Sequence, residues 1–98
     1  MFEVEKDTNS FLIRIRKYHE AIESSQNEAY KSFQEGQYDK SVSWYSDVEC
    51  LLQDLKNEYN IDIQKYAEFY LIRSRAKIYI GDTNGANEDL EKYKQITR

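Results

Sequence analysis

His19 and Cys50 are the two side chains best suited to chemistry, since an imidazole titrates near neutrality and a thiolate is a strong nucleophile. The chain holds one of each. They could act as a nucleophile and its base only if the fold brought them together. Taken singly, His19, between Tyr18 and Glu20, reads as a surface or half-buried histidine, and Cys50, beside Leu51, as a small buried hydrophobe. With no second histidine or cysteine, neither has the company that a zinc site requires. Glu88 and Asp89 are neighbours on a helix, so their side chains diverge and read as solvated surface. The segment "GDTNG" lacks both the Gly-x-x-x-x-Gly-Lys-Ser/Thr order of a phosphate loop and the carboxylate spacing of a calcium loop. The sequence therefore predicts no catalytic site, no metal and no small-molecule cofactor.

The scaffold is predicted to be all-α. Proline is absent and glycine occurs three times, at 36, 81 and 85, in a chain rich in good helix formers. Ninety-eight residues suit one small domain with a modest core. The nine tyrosines and four phenylalanines offer large apolar faces with, for tyrosine, a polar tip that stays wet. A formal charge of −4, spread along the chain, argues against a nucleic-acid partner. No apolar run approaches the roughly 20 residues of a membrane span, and "MFEVEKD" lacks the order of a signal peptide. A lone cysteine makes no internal disulfide. The expected setting is the cytoplasm, with no membrane contact.

Apolar or small residues recur at Phe11, Ile15, Tyr18, Ile22, Ser25, Ala29 and Phe33, predicting a helix over 8–35. Ser25 and Glu28 have the spacing of a capping box, which allows a restart at Ser25 instead. Gly36 ends this helix. A second follows over about 38–56, with Tyr38, Ser41, Val42, Tyr45, Val48, Leu51, Leu52 and Leu55 on one face, and "NEYN" is the predicted turn. The third, over about 61–80, carries Tyr66, Phe69, Tyr70, Ile72, Ala76, Tyr79 and Ile80, an arc wide enough to be packed from two sides. Gly81 closes it. The fourth spans about 83–96, capped by Asp82 or Thr83, with Ala86, Leu90, Tyr93 and Ile96 inward.

Overlaying the chain on itself at Gly36 and Gly81 aligns Ser41 with Ala86, Tyr45 with Leu90 and Val48 with Tyr93. One helical hairpin is used twice, with a small residue where its helices cross. "RSRAKIYIGDTNGANEDLEKY" resembles the tetratricopeptide repeat, with Arg73, Ala76, Gly81, Asp82, Gly85, Ala86, Asp89 and Lys92 in common family places. "NEAYKSFQEGQYDKSVSWYSDV" is similar through Gly36, Tyr38, Asp39 and Tyr45, with Ser41 where alanine is usual. The two segments cover about half of the chain. The two glycines stand 45 positions apart, against a family period of about 34. The excess of eleven is expected to lengthen the second and third helices.

The resemblance implies antiparallel helix hairpins stacked as a short solenoid, with repeat-like units at about 25–57 and 61–96 after an N-terminal extension at about 8–24. It also implies an adaptor or small chaperone or regulatory protein, not an enzyme, that binds a protein or peptide on a concave face. Carried over residue by residue, that face comprises Gln26, Tyr30, Gln34, Leu71, Arg75 and Tyr79. Tyr30 and Ile72 stand where some members have the asparagines that clamp a peptide carboxylate, so recognition of a chaperone C-terminus is not expected. Two repeats leave exposed ends, which points to a homodimer, a covering partner or a longer array. The alternative is a homo-oligomeric structural or regulatory protein with no open groove.

Overall fold

The two shortest reversals of the chain rest on a glycine in the left-handed region, Gly36 at φ 77° and Gly81 at φ 87°. There a Cβ would strain the backbone. The computed structural model describes residues 2–98, with side chains from residue 10 onward. At each turn the residue after the glycine donates its N–H five positions back, Gln37 to Ser32 and Asp82 to Lys77, both at 2.8 Å. The glycine amides close on Phe33 and Ile78 at 3.1 and 3.0 Å. This double closure satisfies carbonyls that a helix end leaves unpaired. The next residue then takes nearly the same backbone in both copies, Gln37 at φ −90°, ψ 69° and Asp82 at φ −92°, ψ 71°.

Four α-helices result: α1 (Phe2–Gln34), α2 (Tyr38–Tyr59), α3 (Phe69–Tyr79) and α4 (Thr83–Thr97), with a 3-10 turn at Gln64–Tyr66 between α2 and α3. Each packs mainly on its neighbour in chain order. The first helix runs unbroken through Ser25 and begins before the expected residue 8. Its buried contribution is Ile22 and Ala29; α2 adds Tyr45, Val48, Leu52 and Leu55, and Ile63, Phe69 and Tyr70 complete the cluster. In α4 only Ala86 among the expected inward residues is fully buried, with Leu90, Tyr93 and Ile96 half-buried.

The third helix corrects the expectation. It begins at Phe69, not near 61, and has 11 residues. Asn60 takes a left-handed conformation at φ 53° and donates its N–H to Lys56, so α2 ends there and not at 56. Asp62 then accepts the Gln64 N–H at 2.9 Å, the Asx-type turn by which aspartate competes with a helix. The eleven extra residues thus lengthen α2 and form the 60–68 connection. They do not lengthen α3. The connection still contributes to the interior through Ile63 and Ala67, 7% and 2% exposed.

The small residues lie where the overlay puts them, Ser41 at 0% and Ala86 at 1% exposure. Ser41 Oγ donates to the Ala29 carbonyl of the facing helix at 2.9 Å, which shows how near the two backbones come. Gly85 serves the helix cap and not the crossing. A Cβ there would lie 2.2 Å from the Asp82 carboxylate, whose Oδ1 accepts the Gly85 N–H at 2.9 Å. Gly85 makes room for the cap, and Ala86 for the crossing helix.

Candidate functional site

Gln26 and Tyr30, together with Asn27, form one wall of a cleft between α1 and α3. Glu68 and Ile72 form the other wall, and Tyr45 and Phe69 the floor, around a volume of about 240 Å³. The floor rings stack at 6.1 Å and 23°, which fixes the depth of the cleft. Tyr30 stands 48% exposed above them. Burial, with the neighbouring Tyr30, pushes the Tyr45 phenol up to about 12, so its hydroxyl stays neutral at any physiological pH. The walls supply amides, a phenol and one carboxylate, and the floor is apolar.

The other four expected residues are placed elsewhere. Arg75 and Tyr79 are exposed beside a separate shallow depression with Ile78. Tyr79 is 64% exposed, yet one face of its ring stacks on Tyr38 at 4.2 Å. Leu71 is half-buried and Gln34 exposed; neither lines the cleft. Asn27, Glu68 and the floor rings were missed by the sequence reading. The 45-residue overlay pairs Asn27 with Ile72 but Glu68 with Glu23, so it could have reached only one residue of each wall from the other.

A second cluster lies between α2, α3 and α4. Arg73, 2% exposed, grips Asp89, 0% exposed, through Nε–Oδ2 at 2.9 Å and Nη2–Oδ1 at 2.7 Å. Its remaining arm donates to Glu49 at 3.1 Å. Lys77 also pairs with Asp89 at 3.1 Å, while Tyr70 donates to Glu49 at 2.7 Å and Lys92 reaches Glu49 at 3.1 Å. The expectation that Asp89 is solvated surface is overturned. Among the described residues it is the most deeply buried carboxylate, and two cations from α3 meet it. Every described group in the cluster is paired, leaving no polar atom aimed at a ligand.

Burial pushes Glu49 up, but hydrogen bonds from Tyr70 and Arg73 outweigh it, followed by Lys92, and hold the carboxyl down to about 2 from an ordinary 4.5. A depressed carboxylate contributes stability that is complete above its unfolded value and is lost as pH falls through the folded one. Between pH 5 and pH 2 the wild type is therefore expected to lose about 1–2 kcal/mol more than Glu49→Gln, a figure reduced for the part of the side chain that water screens. Urea unfolding at the two pH values checks this; parallel losses would refute it.

His19 and Cys50 do not form a pair. His19 is half-buried, and its Nδ1 hydrogen-bonds the Tyr66 hydroxyl of the 60–68 connection. Cys50 is exposed on α2, contrary to the buried hydrophobe expected beside Leu51. Successive helix residues point about 100° apart, so adjacency to Leu51 did not carry Cys50 inward. Among the described residues, no three His, Cys, Asp or Glu side chains are grouped to hold a metal ion, and no helix is long and apolar enough to cross a membrane. No family model, curated protein or solved structure matches this chain.

Proposed function

We propose that the chain is a protein-interaction module of the tetratricopeptide type, a cytoplasmic adaptor or regulatory protein that takes a segment of a partner protein along α1 and α3. The supporting observation is the open cleft between Gln26, Asn27 and Tyr30 on one side and Glu68 and Ile72 on the other. Gln26 and Asn27 each carry a donor and an acceptor, which suits the backbone of a bound segment. Phe69 and Ile72 offer contact to an apolar side chain, and Glu68 attracts a lysine or arginine next to it. Arg75 and Tyr79, farther along α3, extend the surface with the residue types that most often anchor interfaces. The reading assigns no catalysis and no cofactor.

A homo-oligomeric structural protein is the second reading. It is favoured by Ile78, Tyr79 and Ile80, which stand 58%, 64% and 47% exposed at one end of the molecule. Selection of a displayed peptide library on the purified chain separates the two. Recovered peptides are expected to share a basic residue beside an apolar one, and to lose about tenfold or more in affinity for Gln26→Ala/Tyr30→Ala, the range of an interface anchor. Arg75→Glu/Tyr79→Ala is expected to weaken them less, with the helical signal intact. Peptides that bind both double variants as well as wild type would end the cleft assignment.

A further inference from the structure

A different groove runs between α1 and α2, on a side of α1 that the cleft does not use. It encloses about 420 Å³ and is floored by half-buried Tyr18, Leu51 and Tyr59. Its α1 wall presents Arg14 and Lys17, both exposed, and neither makes an ion pair among the described residues. Its α2 wall presents Glu58, exposed, with Asp54 one turn earlier. Arg14, Lys17 and Glu58 line the same stretch of the groove, so the acidic wall stands level with the basic one; Glu58 and Asp54 also help raise the Tyr18 phenol, after the effect of burial.

The charge pattern is wider than four residues. From residue 8 to 19 the chain has three cations, Arg14, Arg16 and Lys17, and no carboxylate, within a chain whose total is −4. The remainder is strongly acidic. Such asymmetry favours partners that present the opposite order of charge.

We infer that this groove is a homodimer interface, in which α1 of each copy lies antiparallel on α2 of the other. A groove with one basic and one acidic wall is complementary to itself under a two-fold rotation about an axis parallel to the groove. That operation sets each basic wall over the other copy's acidic wall at the same height, and the apolar floors face one another. An isologous contact needs this self-complementarity. A wholly acidic or wholly basic partner would be repelled by one of the two walls. The α1–α3 cleft remains open in such a dimer, so the interface is independent of the peptide-binding reading.

The test uses charge reversal on each wall and then mixes the products. Sedimentation equilibrium of wild type is expected to give a dimer whose dissociation constant rises with salt, because the wall contacts are screened. Arg14→Glu/Lys17→Glu makes both walls acidic, and Asp54→Lys/Glu58→Lys makes both basic. Each variant alone is expected to dissociate about a hundredfold more readily, with an unchanged helical circular dichroism signal. An equimolar mixture of the two is expected to recover the dimer as a heterodimer, since each altered wall then meets its complement. The variants change only exposed side chains, and the mixture would expose any that fail to fold. A monomeric wild type at high micromolar concentration, reversed variants that dimerise as well as wild type, or a mixture that stays monomeric would each overturn the inference.

Discussion

Arg73→Met is expected to lower the unfolding free energy by about 3–5 kcal/mol, the usual cost of removing one partner from a buried ion pair. Methionine keeps much of the volume of arginine, so the loss is electrostatic and not that of a cavity. Asp89, fully buried, would be left with Lys77 alone. Glu49 would keep Tyr70 and Lys92. The guanidinium also lies 5.5 and 5.4 Å from the Phe69 and Tyr70 ring centres, contacts that methionine replaces only in part. Total stabilities of small domains are about 5–15 kcal/mol, so this single change takes a large share. The double variant Arg73→Met/Asp89→Leu is expected to recover part of the loss, because the fully buried carboxylate is gone and only Lys77, its side chain 14% exposed, is left without its partner. Urea unfolding of the three proteins decides it. A single variant within about 1 kcal/mol of wild type would show that the cluster contributes little.

Ala86→Leu is expected to cost about 1–3 kcal/mol by overpacking. Ala86 is 1% exposed in the first turns of α4, and its N–H is held by the Asp82 carbonyl at 3.0 Å, so the backbone has little freedom to withdraw. The three added carbons must part α3 and α4. Ser41→Leu, at the equivalent place between α1 and α2, is expected to cost at least as much, since it also removes the hydrogen bond to Ala29. Lys94→Ala, at a site 65% exposed, is the control and is expected to stay within about 0.5 kcal/mol. Melting of Ala86→Leu at the wild-type temperature would mean that the crossing is not close.

The helices of the two hairpins were legible because their signals are local. Gly36 and Gly81 mark the ends, and the 3.6-residue stripe marks the inward faces. The false start of α3 came from the same signal, since Tyr66, Phe69 and Tyr70 continue a helical stripe backward across residues that turn. Asn60 and Asp62 are turn formers, and they prevail there. The burial of Asp89 was not legible, because it depends on Arg73 and Lys77 arriving from another helix. Nor could the internal overlay reveal it: Arg73 and Asp89 align with Glu28 and Trp44, so only the second hairpin has the pair. The cleft was half legible. The resemblance gave Gln26 and Tyr30, while the floor needed Tyr45 and Phe69 to meet across 24 residues of sequence.

The packing of each helix mainly on the next in chain order has a kinetic consequence. No large contact has to wait for the first and last helices to find each other. The loops that must close before native contacts form are short, and short loops surrender little entropy. Chains dominated by such local contacts fold in microseconds to milliseconds. The α1–α2 and α3–α4 contacts are more extensive than the α2–α3 contact, so each hairpin holds together as a unit and the seam between the two hairpins opens at lower free energy than either hairpin does.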